Sequence, residues 1–167
     1  QLALKTGVFR ELSVNQIMDC TWDAHNNACN GGEAGPAFRS LINKSAGLFL
    51  EKDYPYMGVA GFCNKNPEHP VAKIIDCIAI EKKTQALKEA VYKFGPATVG
   101  INVIESMLMY TGGVVDDVTC RGAASDLVHE VLLTGWKVID GKDAWEIKNS
   151  WSSYWGDEGY IYIQAYN

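Results

Sequence analysis

The stretch Lys148–Tyr160 reads KNSWSSYWGDEGY and decides how the second half of this 167-residue chain is interpreted. Two tryptophans and two glycines crowd around a single asparagine, Asn149. Taken alone, the stretch predicts a strand, a turn and a second strand with aromatic packing.

Short apolar runs lie on both sides of this stretch. Each is bounded by turn residues and is rich in β-branched or aromatic side chains, which predicts strands. Between the first two runs, Thr84 is expected to cap a helix that Gly95 and the following proline end. The predicted strand segments are Ile74–Ile80, Ala97–Val103, Val128–Val138, Ala144–Lys148 and Tyr160–Gln164.

The first half of the chain has a different pattern. Ser13 and Gln16 form a capping-box pattern, which predicts a short helix over residues 14–20. Pro36 suits the first turn of a second helix, for which Gly47 is the predicted left-handed cap. The change from helices and loops to strands predicts an α+β fold with two lobes, residues 1–79 and 80–167.

Charge and composition exclude some classes of function. A net charge of −5 argues against nucleic acid as a partner, because phosphate binding needs a basic face. No apolar run is long enough to span a bilayer, so no membrane association is predicted. The triplet Asn43-Lys44-Ser45 is an N-glycosylation sequon, which fits secretion.

The five cysteines are not arranged as CxxC pairs, and the histidines lie far from them in sequence. A zinc site is therefore a weak interpretation, and no metal is predicted. A disulfide framework is more natural, although the number is odd. The cysteines are Cys20, Cys29, Cys63, Cys77 and Cys120.

Two further motifs are ambiguous when they are taken singly. His129 lies inside the apolar run Val128–Val131, and a lone strand histidine is more often structural than catalytic. Cys29-Asn30-Gly31-Gly32 alone would be a turn pinned by a disulfide.

Taken together and in this order, the motifs resemble the papain family of cysteine peptidases. The CNGG loop matches without a change, and NSWS in place of NSWG is similar to an insect-type branch of the family. The resemblance covers nearly the whole chain. The matching segments are Leu12–Cys20, Cys29–Gly32, Tyr54–Tyr56, Gly95–Val99, His129 and Lys148–Tyr160.

The resemblance implies a papain-like fold with a helical left lobe and an antiparallel, β-barrel-like right lobe, truncated at both ends. It implies a cysteine-type endopeptidase in which a thiolate attacks a peptide carbonyl. His129 and Asn149 are the catalytic candidates: the imidazole would exchange protons and the amide oxygen would orient it. Trp151 would cover this pair, with support from Trp155.

The resemblance also implies a set of substrate-binding residues. Glycines let a substrate backbone lie close, because they carry no Cβ. Val128 stands where the family has Asn or Asp, Glu130 where it has Ala or Gly, and Ser152 where Gly is common, which puts the specificity in doubt. The implied substrate-binding residues are Gly31, Gly32, Ala34, Gly100, Val128 and Glu130.

The family's nucleophilic cysteine lies about 130–150 residues before its histidine and asparagine. Counting back from His129 places it at or before Gln1. The resemblance pairs Cys20 with Cys63, which would stabilise the fold by about 3–4 kcal/mol. It places the partners of Cys29 and Cys120 outside the sequence, whereas Cys77 has no counterpart and is expected to be a buried free thiol.

Two other functions remain open at this point: a catalytically inactive homologue acting as a secreted binding protein, and an unrelated secreted binding module. The peptidase hypothesis predicts a peptide or protein substrate, with a pro-segment or a cystatin-like inhibitor as further partners and no cofactor. Disulfides and the Asn43 sequon predict the secretory pathway, with a lysosomal or extracellular destination.

Overall fold

Two units, Gln1–Ala79 and Ile80–Asn167, make up the computed structural model, which describes residues 1–24, 26–64 and 69–166. The first unit is built from helices and one short two-stranded sheet. The second contains a five-stranded sheet and two helices. No helix in the described part of the chain has the length and apolar character needed to cross a bilayer.

The described residues of the first unit form three helices and two 3-10 turns. The unit also contains a short antiparallel strand pair, and its buried side chains include Leu41, Phe49 and Tyr54. In chain order the elements are α1 (Leu2–Thr6), α2 (Val14–Cys20), the 3-10 turns Trp22–Ala24 and Ala28–Asn30, α3 (Ala34–Asn43), β1 (Gly47–Leu48) and β2 (Ala72–Lys73).

Helix α2 begins where the capping pattern predicts. The Ser13 hydroxyl accepts a hydrogen bond from the Gln16 backbone N–H at 2.9 Å. The Gln16 side chain does not close the reciprocal half of a capping box. Instead its amide donates to the Gly47 carbonyl at 2.7 Å and accepts from the Phe49 N–H at 3.0 Å. The Gln16 side chain therefore connects α2 to β1 and to Phe49, the residue after β1.

The predicted Cys20–Cys63 disulfide is present, with the two Cα atoms 4.7 Å apart. It attaches the loop after Tyr54 to the end of α2. The preceding residue, Asp19, is 5% exposed and holds the same loop from inside. Its carboxylate accepts hydrogen bonds from the Tyr54 hydroxyl at 2.7 Å, the Gly61 N–H at 2.7 Å and the Asn15 amide at 2.8 Å.

The predicted role of Gly47 as a helix cap is wrong. Helix α3 ends at Asn43, and the left-handed residue of the turn is Ser45, with φ 50°. Gly47 lies in β1, where a Cβ would come 2.2 Å from the Pro70 Cβ. Close packing against the segment beside β2 therefore explains the glycine.

The strand predicted over Ile74–Ile80 is also wrong, because in this region the described strand is β2. The apolar side chains of the run do not form a packed face: Ile75 is 79% exposed and Ile78 is 68% exposed. Without a neighbouring strand in the described chain, β-branched residues alone do not form a ladder. Cys77 is accordingly half-buried rather than buried, and it is free as expected.

The second unit contains the predicted strands after residue 96. Tyr160–Gln164 is a strand with the predicted bounds, and the other predicted runs differ from the observed strands by one to two residues at an end. The elements are α4 (Thr84–Phe94), β3 (Ala97–Ile101), α5 (Glu105–Leu108), β4 (Val114–Val115), a 3-10 turn Ala124–Asp126, β5 (His129–Ile139), β6 (Lys142–Lys148) and β7 (Tyr160–Gln164).

The sheet has the order β3-β5-β6-β7-β4. The pairs are antiparallel except for the short parallel pair of β4 with β7. Since β3 and β4 are the two edges, the sheet is open rather than a closed barrel. Helix α4 packs Leu87 and Val91 against a core that includes Leu133, Ile147 and Ile161.

Thr84 does not cap α4 as predicted. The N-cap position belongs to Lys83, and Thr84 is the first helical residue. Its hydroxyl donates to the Tyr166 carbonyl, so it joins the helix to the residues after β7. The predicted end is confirmed: Gly95 follows Phe94 with φ 86°.

Replacing Asp19 should test how strongly its buried carboxylate holds the loop. Asp19→Ala would remove the acceptor of three hydrogen bonds, two of them buried, so we expect the free energy of unfolding to fall by about 3 kcal/mol. Asp53→Ala, at an exposed position of the same unit, should change it by less than about 0.5 kcal/mol. Urea denaturation measures both, and equal effects of the two substitutions would contradict this role of Asp19.

Candidate active site

His129 is the first residue of β5 and is half-buried. Side chains alternate between the faces of a strand, so His129 shares a face with Val131 and Leu133. Both of those residues belong to the core of the second unit. The histidine therefore projects from the end of the packed face of the sheet.

Asn149 follows the last residue of β6. Because β5 and β6 are antiparallel, with Leu132 opposite Lys148, the start of β5 lies beside the end of β6. The two side chains meet there, with His129 Nε2 and Asn149 Oδ1 2.9 Å apart. That distance lies within the range expected for a direct hydrogen bond.

The Ser150 backbone identifies the partners in this hydrogen bond. Its N–H, which can only donate, contacts the same Asn149 side-chain atom at 2.8 Å, so that atom is the amide oxygen. His129 Nε2 must then carry the proton that it donates to this oxygen. In the neutral ring the lone pair is on Nδ1, which is left as the nitrogen that can accept a proton.

Aromatic rings fix the histidine from one side. Trp151 stacks on the His129 ring with centroids 5.3 Å apart and an interplanar angle of 23°. Trp155 meets Trp151 edge-on at 4.9 Å, and its indole N–H donates to the Met107 carbonyl at 3.1 Å. Tyr110 packs on Trp155 at 5.8 Å, so the stack ends in the core.

The turn between β6 and β7 keeps Trp151 in place. The Asn149 N–H donates to the Gly159 carbonyl at 2.9 Å, and the Gly156 N–H donates to the Tyr110 carbonyl at 3.2 Å. Gly156 has φ 65°, and a Cβ there would lie 2.4 Å from the Tyr160 carbonyl oxygen. Ser152 adopts φ 77°, a conformation that favours glycine.

Three of the predicted substrate-binding residues lie next to His129 in the sheet. Val128 is 70% exposed, and its N–H donates to the Ile101 carbonyl at 3.0 Å. Glu130 lies on the face away from the core, directly opposite Gly100 on β3. A Cβ at Gly100 would come 3.2 Å from the Leu127 Cδ1, so the Leu127 side chain packs over this glycine.

The other three lie together in the first unit, between the second 3-10 turn and α3. Gly31 is exposed with φ 107°, and Ala34 begins α3. At Gly32 a Cβ would come 2.5 Å from the Asn26 Oδ1, the atom that accepts a hydrogen bond from the Glu33 N–H at 2.8 Å.

Sequence reasoning missed Asn26 and the Ser150 backbone amide. Asn26 is 8% exposed, and its side chain leaves no room for a Cβ at residue 32, which explains the glycine there. The Asn-rich loop around Asn26 was the available signal, but spacing alone could not distinguish its buried side chain from the solvated ones.

A model of the papain family cysteine proteases matches residues 1–167. The chain belongs to the papain family of cysteine proteases. It is similar to cysteine proteinase 2 of Zea mays, with 38% identity over 160 residues, which are 95% of this chain and 44% of the relative. It is also similar to cathepsin S of Mus musculus, with 37% identity over 171 residues, covering 100% of this chain and 49% of the relative.

Solved structures of the family are similar to the whole chain. Procathepsin L 3 from the larval midgut of Tenebrio molitor matches with a TM-score of 0.89 and 33% identity, covering 98% of this chain and 53% of the other. The bromelain protease from Ananas comosus, in complex with the E64 inhibitor, matches with a TM-score of 0.85 and 29% identity, covering 97% and 72%. The chain spans about half the length of the curated relatives it matches.

All five cysteines of this papain-family chain lie among the described residues. Cys20 and Cys63 are bonded to each other, and Cys29, Cys77 and Cys120 are free. Burial, assisted by the charge of Asp117, raises the pKa of the Cys120 thiol, which disfavours its thiolate. Among described residues, no group of three or more His, Cys, Asp or Glu side chains could hold a metal ion.

Substitution of Gly156 should show how much the turn depends on a residue without a side chain. Gly156→Ala forces a Cβ against the Tyr160 carbonyl in a left-handed conformation, so we expect the free energy of unfolding to fall by about 3 kcal/mol. Gly122→Ala is the control, because its Cβ would enter open space at an ordinary φ. Guanidinium denaturation measures both changes, and an unaffected Gly156→Ala protein would refute this account of the turn.

Proposed function

We propose that this chain is part of a cysteine-type endopeptidase in which His129 is the general base and acid and Asn149 is its positioning residue. The observation that carries the proposal is the contact of His129 Nε2 with Asn149 Oδ1 at 2.9 Å, in which the Ser150 N–H fixes the amide oxygen. This arrangement leaves Nδ1 as the basic nitrogen. Trp151 shields the pair from water and so strengthens the hydrogen bond.

The nucleophile of the proposed reaction comes from a segment outside this sequence, upstream of Gln1. Two of the five cysteines are bonded to each other and cannot attack a substrate. Cys120 is held as a thiol by its surroundings, Cys29 lies in a 3-10 turn of the first unit, and Cys77 lies in the irregular run before α4.

The proposed reaction proceeds in two halves. His129 Nδ1 takes the proton of the thiol, and the sulfur attacks the peptide carbonyl carbon. When the C–N bond breaks, the leaving amine takes that proton and an acyl thioester remains. Water then gives a proton to Nδ1 and attacks the thioester. The C–S bond breaks, the acid leaves, and the sulfur recovers the proton from the imidazolium.

Six residues are proposed to contact the peptide. Glu130 places a carboxylate where the family has a small residue, so it is proposed to set the preference for a substrate side chain close to the scissile bond. The exposed Val128 would contact the same region. The proposed substrate contacts are Gly31, Gly32, Ala34, Gly100, Val128 and Glu130.

The cellular setting is proposed from the disulfide. A Cys20–Cys63 bond persists in an oxidising compartment, which supports the secretory pathway with a lysosomal or extracellular destination. The likeness to a procathepsin supports synthesis with a pro-segment, and a cystatin-like inhibitor is the further partner that the family resemblance implies.

The first test compares two proteins on a fluorogenic dipeptide substrate. The 167-residue chain should give no turnover, because His129 and Asn149 exchange and orient a proton but form no acyl bond. The full-length protein that contains the upstream cysteine should hydrolyse the substrate and be inhibited by a thiol alkylator. Alkylator-sensitive turnover by the 167-residue chain would refute the proposal that its nucleophile lies upstream. An inactive full-length protein would instead favour the alternative of a catalytically inactive homologue.

The second test separates the two side chains in the full-length enzyme. His129→Ala should lower kcat by about a hundred- to ten-thousandfold, because it removes the proton acceptor. Asn149→Ala should cause a smaller loss in kcat with little change in KM, and Asn149→Asp, which keeps an oxygen toward Nε2, should recover part of it. His69→Ala at an exposed position is the control. The assignment fails if Asn149→Ala raises KM and leaves kcat unchanged.

A further inference from the structure

Asn43 is the last residue of α3 and is exposed. It begins the sequence Asn43-Lys44-Ser45, which is the only Asn-x-Ser/Thr triplet without proline in the chain. No hydrogen bond of its side chain is present among the described residues, so nothing in that part of the fold depends on the free carboxamide. A bulky, solvated group could be attached to this amide nitrogen without displacing a packed residue.

The triplet lies at the opposite end of α3 from the proposed substrate contact Ala34. The helix runs from Ala34 to Asn43, which separates the two ends by about 14 Å at 1.5 Å per residue. A group on Asn43 therefore extends away from Gly31, Gly32 and Ala34. Modification at this position is compatible with the proposed peptidase function and does not depend on it.

The residues of the triplet are held in a closed turn. The Lys44 N–H donates to the Ser40 carbonyl at 3.0 Å and the Ser45 N–H donates to the Ile42 carbonyl at 2.9 Å. Ser45 is in the left-handed region with φ 50°. Because Asn43 ends α3 and Ser45 has a left-handed backbone, the triplet is folded into a turn and is not available as an extended segment.

The Lys44 side chain fixes this turn to the disulfide-bearing end of α2. Its ammonium donates to the Cys20 carbonyl at 2.7 Å and to Asp23 Oδ1 at 2.6 Å. The turn and the disulfide are therefore both attached to Cys20, the last residue of α2. The oxidising compartment in which that bond forms is also the one in which asparagine-linked glycans are added.

We propose that Asn43 carries an N-linked glycan, added before the turn at the end of α3 folds. The donor is a lipid-diphosphate-linked oligosaccharide. A bond forms between the anomeric carbon of the first sugar and Asn43 Nδ2, which loses one proton. The bond from that carbon to the diphosphate oxygen breaks, and the lipid diphosphate leaves with the electron pair.

The site is tested by translating the full-length protein with endoplasmic-reticulum microsomes. The peptide that covers Asn43 should carry a glycan, and enzymatic release of the glycan should convert Asn43 to aspartate, which mass spectrometry detects. Asn43→Gln and Ser45→Ala should abolish the signal, whereas Ser45→Thr and the control Asn30→Gln should keep it. An unmodified Asn43 peptide in the wild-type protein would overturn the proposal, whether or not the protein hydrolyses peptides.

The order of events is tested with purified components. Full-length protein made without glycans is offered to a solubilised oligosaccharyltransferase and its lipid-linked donor, either folded and oxidised or reduced and unfolded. The unfolded sample should accept the glycan at Asn43 several times faster than the folded sample. Equal rates would overturn the order of events, and failure of the unfolded sample to accept a glycan would overturn the site.

Discussion

The antiparallel pairing of β5 with β6 is the constraint on which the candidate site depends. His129 opens one strand and Asn149 follows the other, so the register that places Leu132 opposite Lys148 also brings the two polar side chains together. A one-residue slip would turn His129 to the other face of the sheet. The buried positions of Val131 and Leu133 oppose such a slip, because they would leave the core with it. Packing of the apolar face thus sets the geometry of the polar pair.

The first unit uses a different device, since several of its fixed points are buried polar groups. The carboxylate of Asp19, the amide of Gln16 and the amide of Asn26 each bond to backbone N–H groups of irregular segments. Loops expose more backbone donors than helices or strands do, and each buried donor needs an acceptor. These side chains supply the acceptors, so residues 54–61 and the glycine pair at residues 31–32 can have defined conformations with little regular secondary structure.

Sequence reasoning succeeded where a local pattern and the tertiary context agree. The capping pattern at Ser13 placed α2, and the apolar run at Tyr160 placed β7, because both elements are also packed in the fold. It failed where a local signal had a different tertiary partner. Gly47 was expected to cap a helix, but the approach of Pro70 requires it, and β-branched residues after Lys73 found no strand neighbour in the described chain.

Sequence reasoning predicted part of the candidate site, namely which two side chains pair, but not the protonation of the histidine ring. The motif predicts that His129 and Asn149 form a pair, but no spacing predicts which ring nitrogen the asparagine takes. That choice follows from the Ser150 N–H, which donates to the side-chain atom of Asn149 that His129 contacts and so identifies it as the amide oxygen. Because an amide oxygen only accepts hydrogen bonds, Nε2 must be the donor. The backbone turn after β6 therefore determines the tautomer. Since Trp151 belongs to that turn, one short segment both selects the basic nitrogen of His129 and covers its ring. The proton-transfer half of the proposed chemistry is thus organised within the second unit by its sheet and one turn.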